Sequence, residues 1–220
     1  MVASKVKNKN ARKERKVIVI TGTPGVGKST FSERLAEKLG ALCINLNKLI
    51  MQEGLFKDYD EARKTFVADL PKIRKRLKEL ISKASEGYIL VEGHLSHLLM
   101  PRDSVEMAFV LRCHPEALRQ RLKSRGYTDA KIAENLQAEV LDVCLVEASQ
   151  AYGKAKLAEI DLTEKKADIA AQEAYEIIMG LRKPSLGSVD WLSRLQAEGK
   201  LEDYLRGWEG ASDAIDASKP

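Results

Sequence analysis

In GTPGVGKST, Gly22 to Thr30, a lysine and two hydroxyl side chains follow three glycines at the spacing G-x-x-x-x-G-K-S. This spacing suits phosphate chemistry. Gly22 lets the chain leave a strand, while Gly25 and Gly27 make room for backbone N–H groups to turn onto phosphate oxygens. Lys28 supplies a cation between terminal phosphates, Ser29 a hydroxyl for Mg²⁺, and Thr30 a donor to the α-phosphate near a positive helix end.

Two further stretches carry groups that suit the same chemistry. In YILVEGHLSH, Glu92 ends an apolar run, a place where such folds hold Mg²⁺ or the attacking water, and His94 follows on the same side if the strand geometry persists. His97 and His114 read as structural, His114 as a helix cap. In LKSRGYTDAKIAENLQAE, Arg125 lies between two helices and can swing over a nucleotide to neutralise charge on the transferring phosphate. On its own it reads better as a solvated arginine at a helix C-terminus.

These groups need elements to hold them. VIVIT before the loop reads as a strand, Ser29 to Leu39 as a helix, Ala41 to Leu46 as a second strand, Tyr88 to Gly93 as a third, Val105 to Cys113 as a fourth and Leu157 to Thr163 as a fifth. Helical signals dominate from Asn47 to Ala84, irregular at EGLFKDYDEARKTF and clear over Leu70 to Ile81, with Pro71 in the first turn. Pro115 starts a helix that stops at Gly126. Ile132, Leu136, Val140, Leu141, Cys144 and Leu145 mark one long amphipathic helix, and Lys165 to Leu181 a further one. The β-α alternation predicts a parallel sheet flanked by helices.

Composition, 44% hydrophobic and 31% charged, without an apolar run of about twenty residues, predicts a soluble chain with no membrane span. The cytoplasm is the default compartment. Cys43, Cys113 and Cys144 lack CxxC spacing and read as small buried hydrophobes rather than disulfide or zinc partners. Met1 to Lys16 carries seven basic residues against Glu14 alone, a balance of +6, so residues 17–220 sum to about −1. That arm either touches an acidic partner such as RNA or is merely solvated. Beyond Lys183, Trp191, Leu195, Tyr204 and Trp208 most simply fold back onto the domain, and an apolar helix kept for a partner is the alternative.

Taken together, GTPGVGKST, INLNKL (Ile44 to Leu49), DYDE (Asp58 to Glu61), VEGH (Val91 to His94), RGY and NLQAE (Asn135 to Glu139) resemble one family. It is the adenylate-kinase-like ATPases of small-ribosomal-subunit maturation, the isoenzyme-six branch that includes the coilin-interacting nuclear ATPase. The resemblance runs from about Val17 to Leu181. It implies an α/β P-loop NTPase fold, with a five-stranded parallel sheet, a monophosphate-binding region over about 45–69 and a short lid over 124–134. It also implies Gly25, Val26, Gly27, Lys28, Ser29 and Thr30 as the ATP phosphate site, Arg125 as the lid arginine, and Glu92 with His94 as a Walker-B-like pair. A platform protein of the small ribosomal subunit is the implied partner. Met51 stands where other members have an arginine placed to meet a monophosphate, and Arg63 or Lys64 is the candidate substitute. The arm, 1–16, and the extension, 182–220, lie outside the resemblance.

The resulting expectation is a Mg²⁺-dependent ATPase with adenylate kinase activity, ATP + AMP giving 2 ADP, in ribosome assembly and rRNA processing. Its alternatives are a kinase for another nucleoside monophosphate and an ATP-gated binding module for ribosomal protein or RNA.

Overall fold

The computed structural model describes residues 15–61, 65–85 and 87–205. Its strands are β1 Arg15–Thr21, β2 Leu42–Asn45, β3 Phe56–Asp60, β4 Thr65–Ala68, β5 Gly87–Glu92, β6 Val105–Arg112 and β7 Leu157–Asp161. The helices are α1 Lys28–Leu39, α2 Leu46–Glu53, α3 Leu70–Lys83, α4 Ser96–Leu99, α5 Pro115–Ser124, α6 Asp129–Val140, α7 Val143–Tyr152, α8 Ala167–Ile178, α9 Trp191–Ala197 and α10 Leu201–Leu205.

Five strands form one parallel sheet in the order β2-β5-β1-β6-β7. Both faces of β1 are covered, so Val17 to Ile20 are all buried and read as an unbroken apolar run. Alternate residues feed two core layers. Ile18, Ile20, Leu90, Phe109 and Leu111 pack with α1, α5, α6 and α8, where Ala170, Ala171 and Ala174 let α8 lie close to α1. Val17, Val19, Ile89, Val91 and Val110 face Ile73 and Leu77 of α3, Leu99 of α4, and Ala148 and Tyr152 of α7. The register sets Ile20 beside Glu92, which brings the end of β5 next to the loop that leaves β1.

Several expectations need correction. The stretch 47–84 is not continuously helical, because β3 and β4 form a separate antiparallel pair. FKDYD and TFVA place aromatic residues on one hairpin face, where the Phe56 and Phe66 rings lie 4.3 Å apart and Tyr59 meets Phe66 at 5.1 Å. The long helix is two helices, broken at Asp142, which adopts φ 57° and ion-pairs with Arg112. Asp tolerates that left-handed conformation, and the break sends α6 to one core layer and α7 to the other. Arg15 and Lys16, counted with the basic arm, belong to β1. Of the cysteines only Cys113 is fully buried; Cys43 and Cys144 are half-buried. The arm up to Glu14, Arg63, Lys64 and Trp208 lie outside the described residues.

The described part of the extension, up to residue 205, folds back. Trp191, Leu195 and Tyr204 are buried, and the latter two join the core layer that holds α6. No described helix is long and apolar enough to cross a membrane.

Candidate active site

The glycine-rich turn joins β1 to α1, and sterics fix Gly22. It adopts φ 140°, and a Cβ there would stand 2.4 Å from the Leu111 carbonyl oxygen. The turn encloses Lys28, whose Nζ donates to the carbonyls of Gly22 (2.7 Å) and Thr23 (3.0 Å). Burial pulls the Lys28 pKa below its ordinary value, while Cys144, Glu92 and Glu139 act to raise it. The Val26 side chain is buried in the core, its carbonyl accepts from Arg121 Nη1 at 2.9 Å, and its amide is directed at the Thr23 carbonyl at 3.3 Å.

At the first turn of α1, Ser29 Oγ donates to Glu92 Oε1 at 3.0 Å. Asn45 donates to the same carboxylate oxygen through Nδ2, while its Oδ1 caps α2 by accepting from Lys48 N at 2.8 Å. Burial raises the Glu92 pKa, offset by the Ser29 hydroxyl and the Lys28 charge. A serine hydroxyl and a carboxylate converging within hydrogen-bond reach give a hard-oxygen donor set that fits Mg²⁺, which needs only one or two protein oxygens beside phosphates and water.

A cleft of about 110 Å³ over the loop brings together Gly25, Gly27, Lys28, Ser29 and Thr30 with Glu92, His94, Arg125 and Tyr127. The structure therefore gathers the residues expected from the sequence except Val26, which does not line the cleft. Arg125 caps the C-terminus of α5 and is exposed, with three residues, Gly126 to Thr128, linking it to α6. Burial, followed by the charges of Lys28 and His97, lowers the His94 pKa from 6.5 to about 4, so its ring is neutral at neutral pH. His97 is structural. Its Nδ1 pairs with Thr21 Oγ1 at 2.8 Å, and its Nε2 with Glu147 at 2.8 Å. His114 caps α5 by accepting from Glu116 N at 3.2 Å.

A second cavity of about 330 Å³ adjoins the cleft and shares Ser29, Asn45 and Glu92 with it; Glu33, Lys48 and Gln52 complete its polar wall. Lys48, rather than Met51, faces this cavity, and Met51 is 56% exposed on α2 without lining it. INLNKL contained the signal for Lys48, one turn beyond the capping asparagine.

Glu139 is the other residue that sequence reasoning gave no role. It is 2% exposed, and its Oε2 accepts from Thr23 Oγ1 at 2.5 Å. Its Oε1 accepts from Arg112 Nε (2.9 Å), Cys113 N (3.0 Å) and Trp191 Nε1 (3.1 Å). Burial opposes the Arg112 charge, but Glu139, Asp142 and Glu159 hold that guanidinium firmly protonated.

A parallel sheet with a lysine-bearing phosphate loop, a strand-end carboxylate and a helix-end arginine around one cleft defines a P-loop nucleotide-binding protein of the kinase type. A family model described as AAA domain matches residues 18–142. Over 188 residues the chain is 40% identical to a "Putative adenylate kinase" of Methanocaldococcus jannaschii, spanning 86% of this chain and 96% of that one. A protein of Methanothermobacter thermautotrophicus with the same description is 43% identical over 175 residues, 80% of this chain and 96% of that one. Shikimate kinase from Acinetobacter baumannii in complex with shikimate superposes with a TM-score of 0.56 at 17% identity, over 79% of this chain and 98% of the other. Shikimate kinase from Bacteroides thetaiotaomicron gives 0.51 at 22%, over 74% and 98%, and both likenesses establish the fold. The chain belongs to the adenylate-kinase-like P-loop family.

Proposed function

We propose that the chain moves the γ-phosphoryl group of ATP to AMP, giving two ADP, and hydrolyses ATP when water takes the acceptor's place. The observation that carries this reading is the 330 Å³ cavity opening beside Ser29 and Glu92, room for an acceptor next to the phosphate loop. Phosphoryl transfer asks a protein mainly for in-line positioning and charge neutralisation. Lys28 exchanges its two loop carbonyls for phosphate oxygens, and Arg125 neutralises the transferring group from the helix end. Lys48 meets the acceptor phosphate. Glu92, beside Ser29, orients the attacking oxygen, and neutral His94 accepts a hydrogen bond in the same cleft. Ser29 and Glu92 would hold Mg²⁺, which would supply positive charge to neutralise the phosphates.

ADP formation measured with and without AMP tests the reading; no stimulation by AMP at saturating ATP removes the kinase activity. Met51, in place of a phosphate-binding arginine, favours a second reading, an ATP-gated binding module with little AMP kinase activity. On the sequence resemblance alone, we extend the proposal to small-subunit maturation, with a platform ribosomal protein as partner and rRNA along the basic arm. Failure of the purified platform protein to bind the chain with or without ATP removes that extension.

A further inference from the structure

The C-terminal segment and the phosphate loop share one carboxylate. Glu139, buried on α6, has both oxygens occupied, one by the Thr23 hydroxyl and the other by the Arg112 guanidinium, the Cys113 amide and the Trp191 indole. Thr23 is the second residue of the loop, and its carbonyl holds Lys28 at 3.0 Å. The hydroxyl that Glu139 fixes and the carbonyl that holds the phosphate-binding cation therefore belong to one residue. Trp191 starts α9, outside the strand-and-helix unit that carries the other site groups. It is itself held, 4% exposed and edge-on to His114 at 5.1 Å, with Asp190 capping its helix by accepting from Ser193 N at 2.9 Å. Upstream, Glu159 of β7 anchors the same segment by accepting from the amides of Ser188 (3.0 Å) and Val189 (3.3 Å), while its other oxygen takes Arg112 Nη1 at 2.7 Å.

We propose that Trp191 and Glu139 are positioning residues for the nucleotide phosphates, and that the C-terminal segment sets ATP affinity through the chain Trp191 Nε1–Glu139–Thr23. The inference rests on the reading of Gly22–Thr30 as an ATP site. A carboxylate with four donors in fixed directions has little freedom to rotate; removing the indole N–H leaves Oε1 with two donors, lets the carboxylate turn further and loosens the hold of Oε2 on Thr23. The loop then samples arrangements in which its backbone N–H groups and Lys28, which the Thr23 carbonyl holds before the nucleotide binds, are out of register with the phosphates. Affinity falls, because only the competent arrangement binds.

The test uses the full chain and three substitutions that keep shape. Trp191→Phe removes the indole N–H and keeps an aromatic ring, Thr23→Val removes the hydroxyl at nearly constant volume, and Thr23→Ser retains it. MgATP dissociation constants are measured by calorimetry below the melting temperature of each variant. A charge-assisted hydrogen bond acting at second hand gives an expected weakening of about 3- to 10-fold for Trp191→Phe and for Thr23→Val. Thr23→Ser should stay within about 2-fold of the parent. The double variant Trp191→Phe/Thr23→Val should bind no more weakly than Thr23→Val alone, because both changes cut one path. Parent-like MgATP affinity in Trp191→Phe, or fully additive losses in the double variant, overturns the inference and leaves the phosphotransferase reading standing. A parent chain that binds no MgATP overturns that reading, and this inference with it.

Discussion

On the phosphate-loop side of the cleft, proposed for ATP, the polar groups are already engaged with one another: Lys28 with two carbonyls, Thr23 with Glu139, and Ser29 with Glu92. On the side proposed for the acceptor, Glu33, Lys48 and Gln52 project from the exposed faces of α1 and α2 into an open cavity. Under the proposed function the first half is a scaffold-held receptor for a fixed chemical group, the phosphate chain. The second is a surface formed by a few exposed side chains, so substitutions there should alter acceptor use more than ATP use.

The largest effect should come from the ATP side. Lys28→Ala removes the cation and should lower turnover about 10³-fold or more, measured as ADP formation; turnover at the parent rate would sink the assignment. Arg125→Ala, at the exposed edge between the halves, should cut kcat about 10²-fold and leave MgATP affinity within a few fold, as expected of a group that acts on the transferring phosphate. On the acceptor side, Lys48→Ala should raise the KM for AMP about 10-fold and leave AMP-independent ATP hydrolysis unchanged. Met51→Ala should change neither, and a Met51 effect larger than that of Lys48 would reverse the placement of the acceptor phosphate.

The smallest effect is in stability. Because the His94 pKa falls from 6.5 to about 4 on folding, the unfolded chain binds the proton between those values and the folded chain does not. The contribution of the neutral ring is complete above pH 6.5 and is lost as pH falls toward 4. Denaturant titrations at pH 7 and pH 4.5 should show a smaller acid loss in His94→Asn than in the parent. Equal losses in the two would mean that His94 titrates normally in the folded protein.

The same asymmetry decides what was legible in the sequence. Phosphate binding uses local backbone geometry, so Gly22 to Thr30 could be read within one nine-residue window, and β1 and β5 announced themselves as buried apolar runs. The β3–β4 hairpin was missed because FKDYD and TFVA are short and sit between helical patterns. The break at Asp142 was missed because the apolar period runs straight through it and only the Arg112 pairing marks the turn. Lys48 and Glu139 were present in quoted motifs but carried no role. Glu139 meets Thr23 across 116 residues of sequence, and no local pattern encodes such a contact.

The long reach of these contacts has a consequence for how the protein matures. Ser29 and Glu92 are 63 residues apart, Thr23 and Glu139 are 116 apart, and Glu139 waits for Trp191. During synthesis the phosphate loop emerges before the residues that brace it, which arrive in turn, the last of them in α9. Non-local pairings of this kind form late on a folding path. Under the inference above, a chain cut before Trp191 should bind MgATP more weakly than one that extends through α9, and by mass action MgATP should then stabilise the longer chain more.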